Sequence, residues 1–188
     1  MILIILIKKK NKKIKDTGVL IYTGSAKIHY SNVKNSYFKN GFLHWDENNK
    51  EGGGYTINYV NFENNTSESG TIFNFPYLSP GSANIGIYYS TFTNNTASKF
   101  GGVIFSGENG NRMVFSNCIF NNNHAKYGNI VYAHSKNEIP TIGDIQKTEI
   151  STIPTYFEMN GNVIEEISIL SGESIPEGIM CKLNKIYI

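Results

Sequence analysis

A repeat of 28–30 residues constrains the fold of this chain more than any other feature of its sequence. Four segments share the form apolar-x-x-small-x-apolar-x-x-Asn, and they are IHYSNVKNS (Ile28–Ser36), INYVNFENN (Ile57–Asn65), IYYSTFTNN (Ile87–Asn95) and FSNCIFNNN (Phe115–Asn123). The second apolar position of the form, called the aromatic slot below, is held by Val33, Phe62, Phe92 and Phe120. A glycine follows this slot by eight or nine residues in every copy, at Gly41, Gly70, Gly101 and Gly128. Self-similarity at such a period is the signature of solenoids and other repeat architectures.

Each repeat has room for two or three short strands between corners rich in Asn and Gly, and it lacks the 3.6-residue periodicity of a helix. One such unit cannot bury its own apolar face, whereas stacking successive units lets equivalent strands pair in parallel. The sequence therefore predicts an all-β chain in which residues 20–135 form a parallel β-helix of about four turns. The alternative is a β-sandwich in which the periodicity has no structural meaning.

Stacking gives each slot of the repeat a physical role. The aromatic slot predicts a stack of rings in the interior, and the glycines predict positive φ or a close backbone approach. The small slot predicts a bend with little room, at Ser31, Val60, Ser90 and Cys118. The last slot predicts an inward-facing ladder of amides at Asn65, Asn95 and Asn123, with Ser36 in the first copy.

Composition and charge exclude several classes of protein. The 11 Phe and 12 Tyr are too many for a disordered chain. The formal net charge is +2, but six of the 17 basic residues lie in Lys8–Lys15. Without residues 1–16 the chain has 11 basic and 14 acidic residues, a net charge of −3. We interpret residues 1–19 as a basic, solvated N-terminal segment and do not predict nucleic-acid binding, although a basic patch for nucleic acid or an anionic membrane is the alternative.

The start of the chain predicts neither a membrane anchor nor an export signal. Its apolar run Ile2–Ile7 has six residues, whereas a membrane-spanning helix needs about 20. The basic residues follow this run, whereas in a signal peptide they precede it. We therefore expect no membrane span and no recognisable signal peptide in this chain.

The residues that carry chemistry do not form recognisable motifs, so the sequence predicts no catalytic, cofactor-binding or metal-binding site and no enzyme. The acids, the single arginine, the histidines and the cysteines are scattered, at Asp16, Asp46, Asp144, Glu47, Glu51, Glu63, Glu68, Arg112, His29, His44, His124, His134, Cys118 and Cys181. The run His44–Asp46, with Trp45 as a platform, is an alternative sugar-stacking spot, but an ordinary exposed corner is the favoured interpretation. The segment EGGGY (Glu51–Tyr55) lacks the Lys-Ser/Thr of a phosphate loop and is interpreted as a connector.

The pattern I-x-x-S/C-x-F-x-x-N followed by Gly-Gly-x-I resembles the repeats of the chlamydial polymorphic outer membrane proteins. Similar repeats occur in adhesin-like surface proteins of other microbes, including anaerobic gut fungi. The stretch FTNNTASKFGGVIFS (Phe92–Ser106) carries both halves of the motif, whereas Gly70 and Gly128 lack the second glycine and Ser36 replaces the asparagine. The resemblance implies a right-handed parallel β-helix of the pectin-lyase-like type, at the cell surface or outside the cell.

The repeat rhythm ends near Ala133. Residues 136–147 include Pro140 and are predicted to form a linker. Residues 148–188 alternate like antiparallel strands, and Ser168–Ile188 resembles the opening of immunoglobulin-like β-sandwich modules. We therefore expect a truncated, sandwich-like segment here.

Three functions are consistent with the sequence. The first is a non-catalytic structural or adhesive β-helix segment of a cell-surface or secreted protein, with a cell-surface glycan or protein as its partner and no cofactor. The second is a carbohydrate-binding or polysaccharide-cleaving β-helix, and the third is a fragment without independent function. If the protein is secreted by a eukaryote, the sequons at Asn64 and Asn94 are glycan acceptors, whereas Asn65 belongs to the predicted ladder.

Overall fold

The structure of the protein, a computed structural model, describes residues 14–15, 17–21, 26–45, 54–77, 84–143, 149–152, 157–159, 162–164 and 179–180. In this part of the chain the fold is all-β, with short 3-10 turns at Gly110–Arg112 and Lys136–Glu138. The strands, in chain order, are β1 (Ile14–Lys15), β2 (Val19–Ile21), β3 (Ala26–His29), β4 (Asn32–Lys34), β5 (Tyr37–Phe38), β6 (Leu43–Trp45), β7 (Tyr55–Asn58), β8 (Asn61–Glu63), β9 (Thr66–Ser69), β10 (Phe73–Tyr77), β11 (Ile85–Tyr88), β12 (Thr91–Thr93), β13 (Thr96–Phe100), β14 (Ile104–Glu108), β15 (Met113–Ser116), β16 (Ile119–Asn121), β17 (His124–Tyr127), β18 (Val131–Ala133), β19 (Thr141–Ile142), β20 (Ile150–Thr152), β21 (Phe157–Met159), β22 (Asn162–Ile164) and β23 (Ile179–Met180).

Four parallel sheets form a β-solenoid, which confirms the predicted parallel stacking, but each repeat has four short strands rather than the two or three expected. Each repeat adds one strand to every sheet, in the order sheet I, sheet II, sheet III, sheet IV. The strand orders are β3-β7-β11-β15-β19 in sheet I, β4-β8-β12-β16 in sheet II, β1-β5-β9-β13-β17 in sheet III and β2-β6-β10-β14-β18-β20 in sheet IV. The solenoid makes about three turns rather than the expected four.

Corners between the sheets form where the backbone turns left-handed. The corner from sheet I to sheet II has Tyr or Asn at positive φ, the corner from sheet II to sheet III has Asn, and the corner from sheet III to sheet IV has Gly. The four glycines have φ between 52° and 77°, at Gly41, Gly70, Gly101 and Gly128. The predicted role of these glycines is confirmed, because only Gly adopts this conformation without a steric penalty.

The core lies inside the four sheets and consists of columns of equivalent residues. Phe62 and Phe92 are fully buried and stack at 5.1 Å, and Phe92 stacks on Phe120 at 4.9 Å. Strands β7 and β11 alternate buried and partly exposed residues, as strands with one face in a core must. The predicted interior stack of aromatic rings is therefore confirmed.

The asparagine column forms the predicted ladder. Asn65 and Asn95 are buried completely and Asn123 almost completely. The Asn65 Nδ2 donates to the Oδ1 of Asn95 at 3.0 Å, and the Asn95 Nδ2 donates to the Oδ1 of Asn123 at 3.1 Å. Each amide also bonds the backbone of the preceding level, for example from Asn123 Nδ2 to the Phe92 carbonyl at 2.9 Å.

Parallel pairing continues past residue 135, where the repeat rhythm ends. Strand β19 lies within the predicted linker 136–147 and pairs with β15. Strand β20 lies within the predicted segment 148–188 and pairs with β18. The repeat pattern does not predict these strands, because strand pairing uses backbone N–H and C=O groups, which every non-proline residue carries.

A small antiparallel sheet, called sheet V, has the strand order β22-β21-β23. Three short strands do not identify an immunoglobulin-like sandwich, which has about seven strands. The immunoglobulin-like segment therefore stays a prediction.

Candidate functional site

The most distinctive surface feature is a row of exposed tyrosines, called the tyrosine stack, at the corner between sheets I and II. Its members are Tyr30, Tyr59 and Tyr89, which are 78%, 48% and 52% exposed. The ring centroids of Tyr30 and Tyr59 lie 5.1 Å apart with an interplanar angle of 1°, and those of Tyr59 and Tyr89 lie 5.1 Å apart at 8°. The rings cover each other's faces, so the row presents mainly ring edges and hydroxyl groups to solvent.

The backbone beneath the tyrosine stack is strained. Tyr30, Tyr59 and Tyr89 have φ of 47°, 55° and 49°. A left-handed conformation costs a residue with a Cβ roughly 1–2 kcal/mol, and Asn tolerates it best after Gly. The equivalent position of the fourth repeat is held by Asn117, with φ of 53°. The next corner uses only asparagines, at Asn35, Asn64, Asn94 and Asn122. The corner itself therefore does not require tyrosine, so the aromatic side chains need a separate explanation.

Polar side chains line the outer face of sheet II beside the stack. The Thr91 Oγ1 donates a hydrogen bond of 2.8 Å to the Oδ1 of Asn61. The Lys34 ammonium donates to the Glu63 carboxylate at 2.5 Å, and this hydrogen bond holds the pKa of Glu63 below its usual range. The surface around the tyrosines thus offers hydrogen-bond donors and acceptors next to aromatic edges.

A groove of about 450 Å³ runs along the outer face of sheet I and borders the stack, because one of its walls, Tyr88, directly precedes Tyr89. The Tyr88 ring covers Gly86, where a Cβ would lie only 2.6 Å from the ring. Thr56, Arg112 and Val114 also line this groove. The groove thus has both apolar and polar groups in its walls.

Among the described residues, the scattered residues considered from sequence are not brought together into one metal-binding group. His29, His44 and His124 lie on three different strands, and His134 packs edge-on against Phe105 at 5.3 Å. The His44 Nδ1 lies 3.1 Å from the Asn74 carbonyl oxygen. Within the described ranges, no group of three or more His, Cys, Asp or Glu side chains is placed to hold a metal ion.

Glu68 and Cys118 have separate environments. Glu68 pairs with Lys99 at 3.0 Å, which lowers the pKa of the Glu68 carboxyl, and burial raises the pKa of the Cys118 thiol. Five predicted residues lie outside the described residues, namely Asp16, Asp46, Asp144, Glu47 and Glu51. Cys181 and the side chain of Trp45 also lie outside them, so the sugar-stacking alternative at Trp45 stays untested.

The sequons differ in exposure as the ladder predicts. Asn64 and Asn94 are exposed at the corner, whereas Asn65 is fully buried. No helix in the described part of the chain has the length and apolar character needed to cross a membrane.

Sequence reasoning missed the tyrosine stack, although a signal was present. Tyr30, Tyr59 and Tyr89 follow one another at intervals of 29 and 30 residues, the period of the aromatic slot three residues further on. A recurring residue indicates an equivalent position in the solenoid but does not indicate whether that position faces the core or solvent. Only the corner geometry places the three rings in a row on the surface.

No family model matches the sequence, and neither a curated protein nor a solved structure matches it. The likeness to polymorphic outer membrane protein repeats therefore rests on the residues quoted for it and stays a prediction.

Proposed function

We propose that this chain is a non-catalytic adhesive segment of a cell-surface or secreted protein, and that its tyrosine stack contacts a surface glycan. The β-solenoid acts as a rigid support, because each level is fixed to its neighbours by strand pairing, ring stacking and the asparagine ladder. We further propose that the solenoid is right-handed, which is the hand of about 98% of parallel crossover connections.

The observation that carries this proposal is the strained, exposed row of Tyr30, Tyr59 and Tyr89. Strain persists in folded proteins chiefly where function requires it. Tyrosine side chains are suited to binding because one rigid ring supplies apolar contact and its hydroxyl supplies hydrogen bonds. Sugars carry many hydroxyl groups, so the tyrosine hydroxyls, the positive ring edges and the adjacent amides and threonines complement them. The resemblance to adhesin-like surface proteins points the same way.

The test measures adhesion of beads coated with the full chain to immobilised pectin and to an array of plant and microbial glycans. The decisive variant replaces Tyr30, Tyr59 and Tyr89 with Asn, the residue present at the equivalent position 117. Relief of backbone strain offsets the loss of two ring stacks, so we expect its stability to change by about 1 kcal/mol or less. Adhesion should fall about tenfold or more, as for the loss of several aromatic contacts.

The matched control is Tyr127→Asn, which removes a 38% exposed tyrosine from sheet III, away from the stack. This control should adhere like the unchanged chain. If the triple variant adheres equally well, the tyrosine stack is not the adhesive surface. Release of sugar products from pectin, with or without calcium, would favour a polysaccharide-cleaving β-helix and overturn the non-catalytic function.

A further inference from the structure

The solenoid ends unevenly after its fourth repeat. Among the described residues, sheet I continues to β19 and sheet IV to β20, whereas sheet II stops at β16 and sheet III at β17. At this end of the solenoid, sheets II and III therefore stop one described strand before sheets I and IV. The resulting cavity of about 650 Å³ is called the terminal notch, and its floor and walls include Cys118, Phe120, Asn123, His124, Ile142 and Glu149.

The backbone at the floor of the notch repeats a pattern that is satisfied at every lower level. The small-slot carbonyls of Ser31, Val60 and Ser90 accept hydrogen bonds of 2.9–3.0 Å from the next level. The Asn65 and Asn95 carbonyls each accept one of 2.9 Å in the same way. No described residue donates to the corresponding carbonyls of Cys118 and Asn123.

The asparagine ladder is open at the same place. The backbone N–H groups of Ser36, Asn65 and Asn95 each donate to the Oδ1 of the asparagine one level further on, at 3.0–3.2 Å. The backbone N–H of Asn123 has no such acceptor within the described part of the chain. Among the described residues, the Phe120 ring is stacked by Phe92 on one side, and no ring stacks on its outer face.

We propose that the terminal notch binds an extended peptide strand of a partner chain, parallel to β16, with an aromatic residue three positions before an asparagine. The aromatic ring stacks on Phe120 at the spacing of the Phe92–Phe120 pair. The asparagine accepts a hydrogen bond from the Asn123 N–H. The backbone N–H groups of the strand donate to the Cys118 and Asn123 carbonyls, to which no described residue donates. This is strand addition to a sheet edge, with the side-chain preference set by the repeat.

A second copy of this chain fits the notch less well. The described strand with this aromatic-x-x-Asn spacing in the third repeat, β12, is paired on both edges. Among the described strands, the other edge of sheet II is β4, which offers Val33 and Ser36 in place of the aromatic residue and the asparagine. Phe157 begins the same spacing, but β21 is the central strand of sheet V.

The probe is a capped peptide with the sequence STFTNNTA, which copies residues 90–97. The protein is the full chain with Cys181→Ser, so that Cys118 at the notch is the only thiol. Bound peptide should slow maleimide labelling of Cys118 in a saturable manner. Labelling is run at alkaline pH, because the thiolate is the reactive form.

Two sets of variants test the recognition code. Peptides with Ala in place of the Phe or of the second Asn should bind about tenfold more weakly, since each loses a ring contact or a buried hydrogen bond. In the protein, Phe120→Ala should weaken binding by a similar factor. Ile119→Ala is the matched control, because Ile119 is 54% exposed on the opposite face of the same strand, and it should not change binding.

Three results would overturn the proposal. The first is labelling of Cys118 at the same rate with and without peptide. The second is equal protection by the Ala-substituted peptides, a comparison that holds even if Phe120→Ala fails to fold. The third is protection that rises with protein concentration without peptide, since a second copy would then occupy the notch.

Discussion

Replacing Asn95 with Ala tests the idea that the amide ladder holds the solenoid together. The Asn95 side chain is fully buried and makes four hydrogen bonds. Its Oδ1 accepts from the N–H and the Nδ2 of Asn65, at 3.2 and 3.0 Å. Its Nδ2 donates to the Phe62 carbonyl and to the Asn123 Oδ1, both at 3.1 Å. The substitution removes all four hydrogen bonds without creating a new partner.

The loss of stability in Asn95→Ala depends on which hydrogen bonds its partners keep. The Asn65 Nδ2 still donates to the Val33 carbonyl at 2.8 Å, and the Asn123 Oδ1 still accepts from the Asn95 N–H at 3.0 Å. The Asn65 N–H loses its acceptor in the interior, which costs about 1–3 kcal/mol, and each other lost bond costs about 0.5–1.5 kcal/mol net. We expect a loss of about 3 kcal/mol after partial relaxation, out of a total of about 5–15 kcal/mol.

Urea unfolding followed by circular dichroism measures this loss as a lower midpoint. Because solenoids unfold in parts, amide exchange at Asn65 gives a second, local measurement. Asn94→Gly is the matched control, since Asn94 is exposed with φ of 54° and Gly suits that conformation. The control should change stability by about 0.5 kcal/mol or less. Equal midpoints for the Asn95→Ala and Asn94→Gly variants would refute a stabilising ladder.

Three further predictions concern the core, a corner and acid stability. Phe92→Ala should destabilise the fold by about 3–5 kcal/mol in the same urea assay, and a loss typical of a surface change would contradict the stacked column. Gly101→Ala should lower the free energy of unfolding by about 2 kcal/mol or more, because φ is 60° and a Cβ would overlap the Ile104 carbonyl. Gly143→Ala is the control and should be neutral, because a Cβ at Gly143 would meet no atom within 4 Å. The lowered pKa of Glu63 means that its lysine pair stabilises the fold above about pH 4.5 and that this contribution is lost as the pH falls further. Glu63→Gln should therefore reduce by about 0.5 kcal/mol the free energy of unfolding that is lost on acidification. Equal pH dependence of unfolding in the variant and the unchanged chain would count against the pair.

The interior was predictable because its residues recur under strong constraints. A buried ring at the aromatic slot must stack on the ring one level away, and a buried amide at the Asn slot must find partners among its equivalents. The positions of Phe92 and Asn95 in the repeat therefore indicated both burial and neighbours. The tyrosine stack was not predictable in this way, because an exposed position such as Tyr59 tolerates many residues. The spacing of the tyrosines does not indicate whether their side chains face the core or solvent.

The repeat in the sequence by itself determined the parallel pairing, the stacked interior and the glycine corners, because side-chain pattern and backbone φ are local properties that recur with the period. Only the tertiary structure decided where the solenoid ends and which groups its surface presents. Strands β19 and β20 join the sheets without the repeat pattern, since backbone pairing needs no particular side chain. Their addition to two sheets and not to the other two forms the terminal notch, and the left-handed corner at Tyr30, Tyr59 and Tyr89 lines up three rings that are 29 and 30 residues apart in the chain.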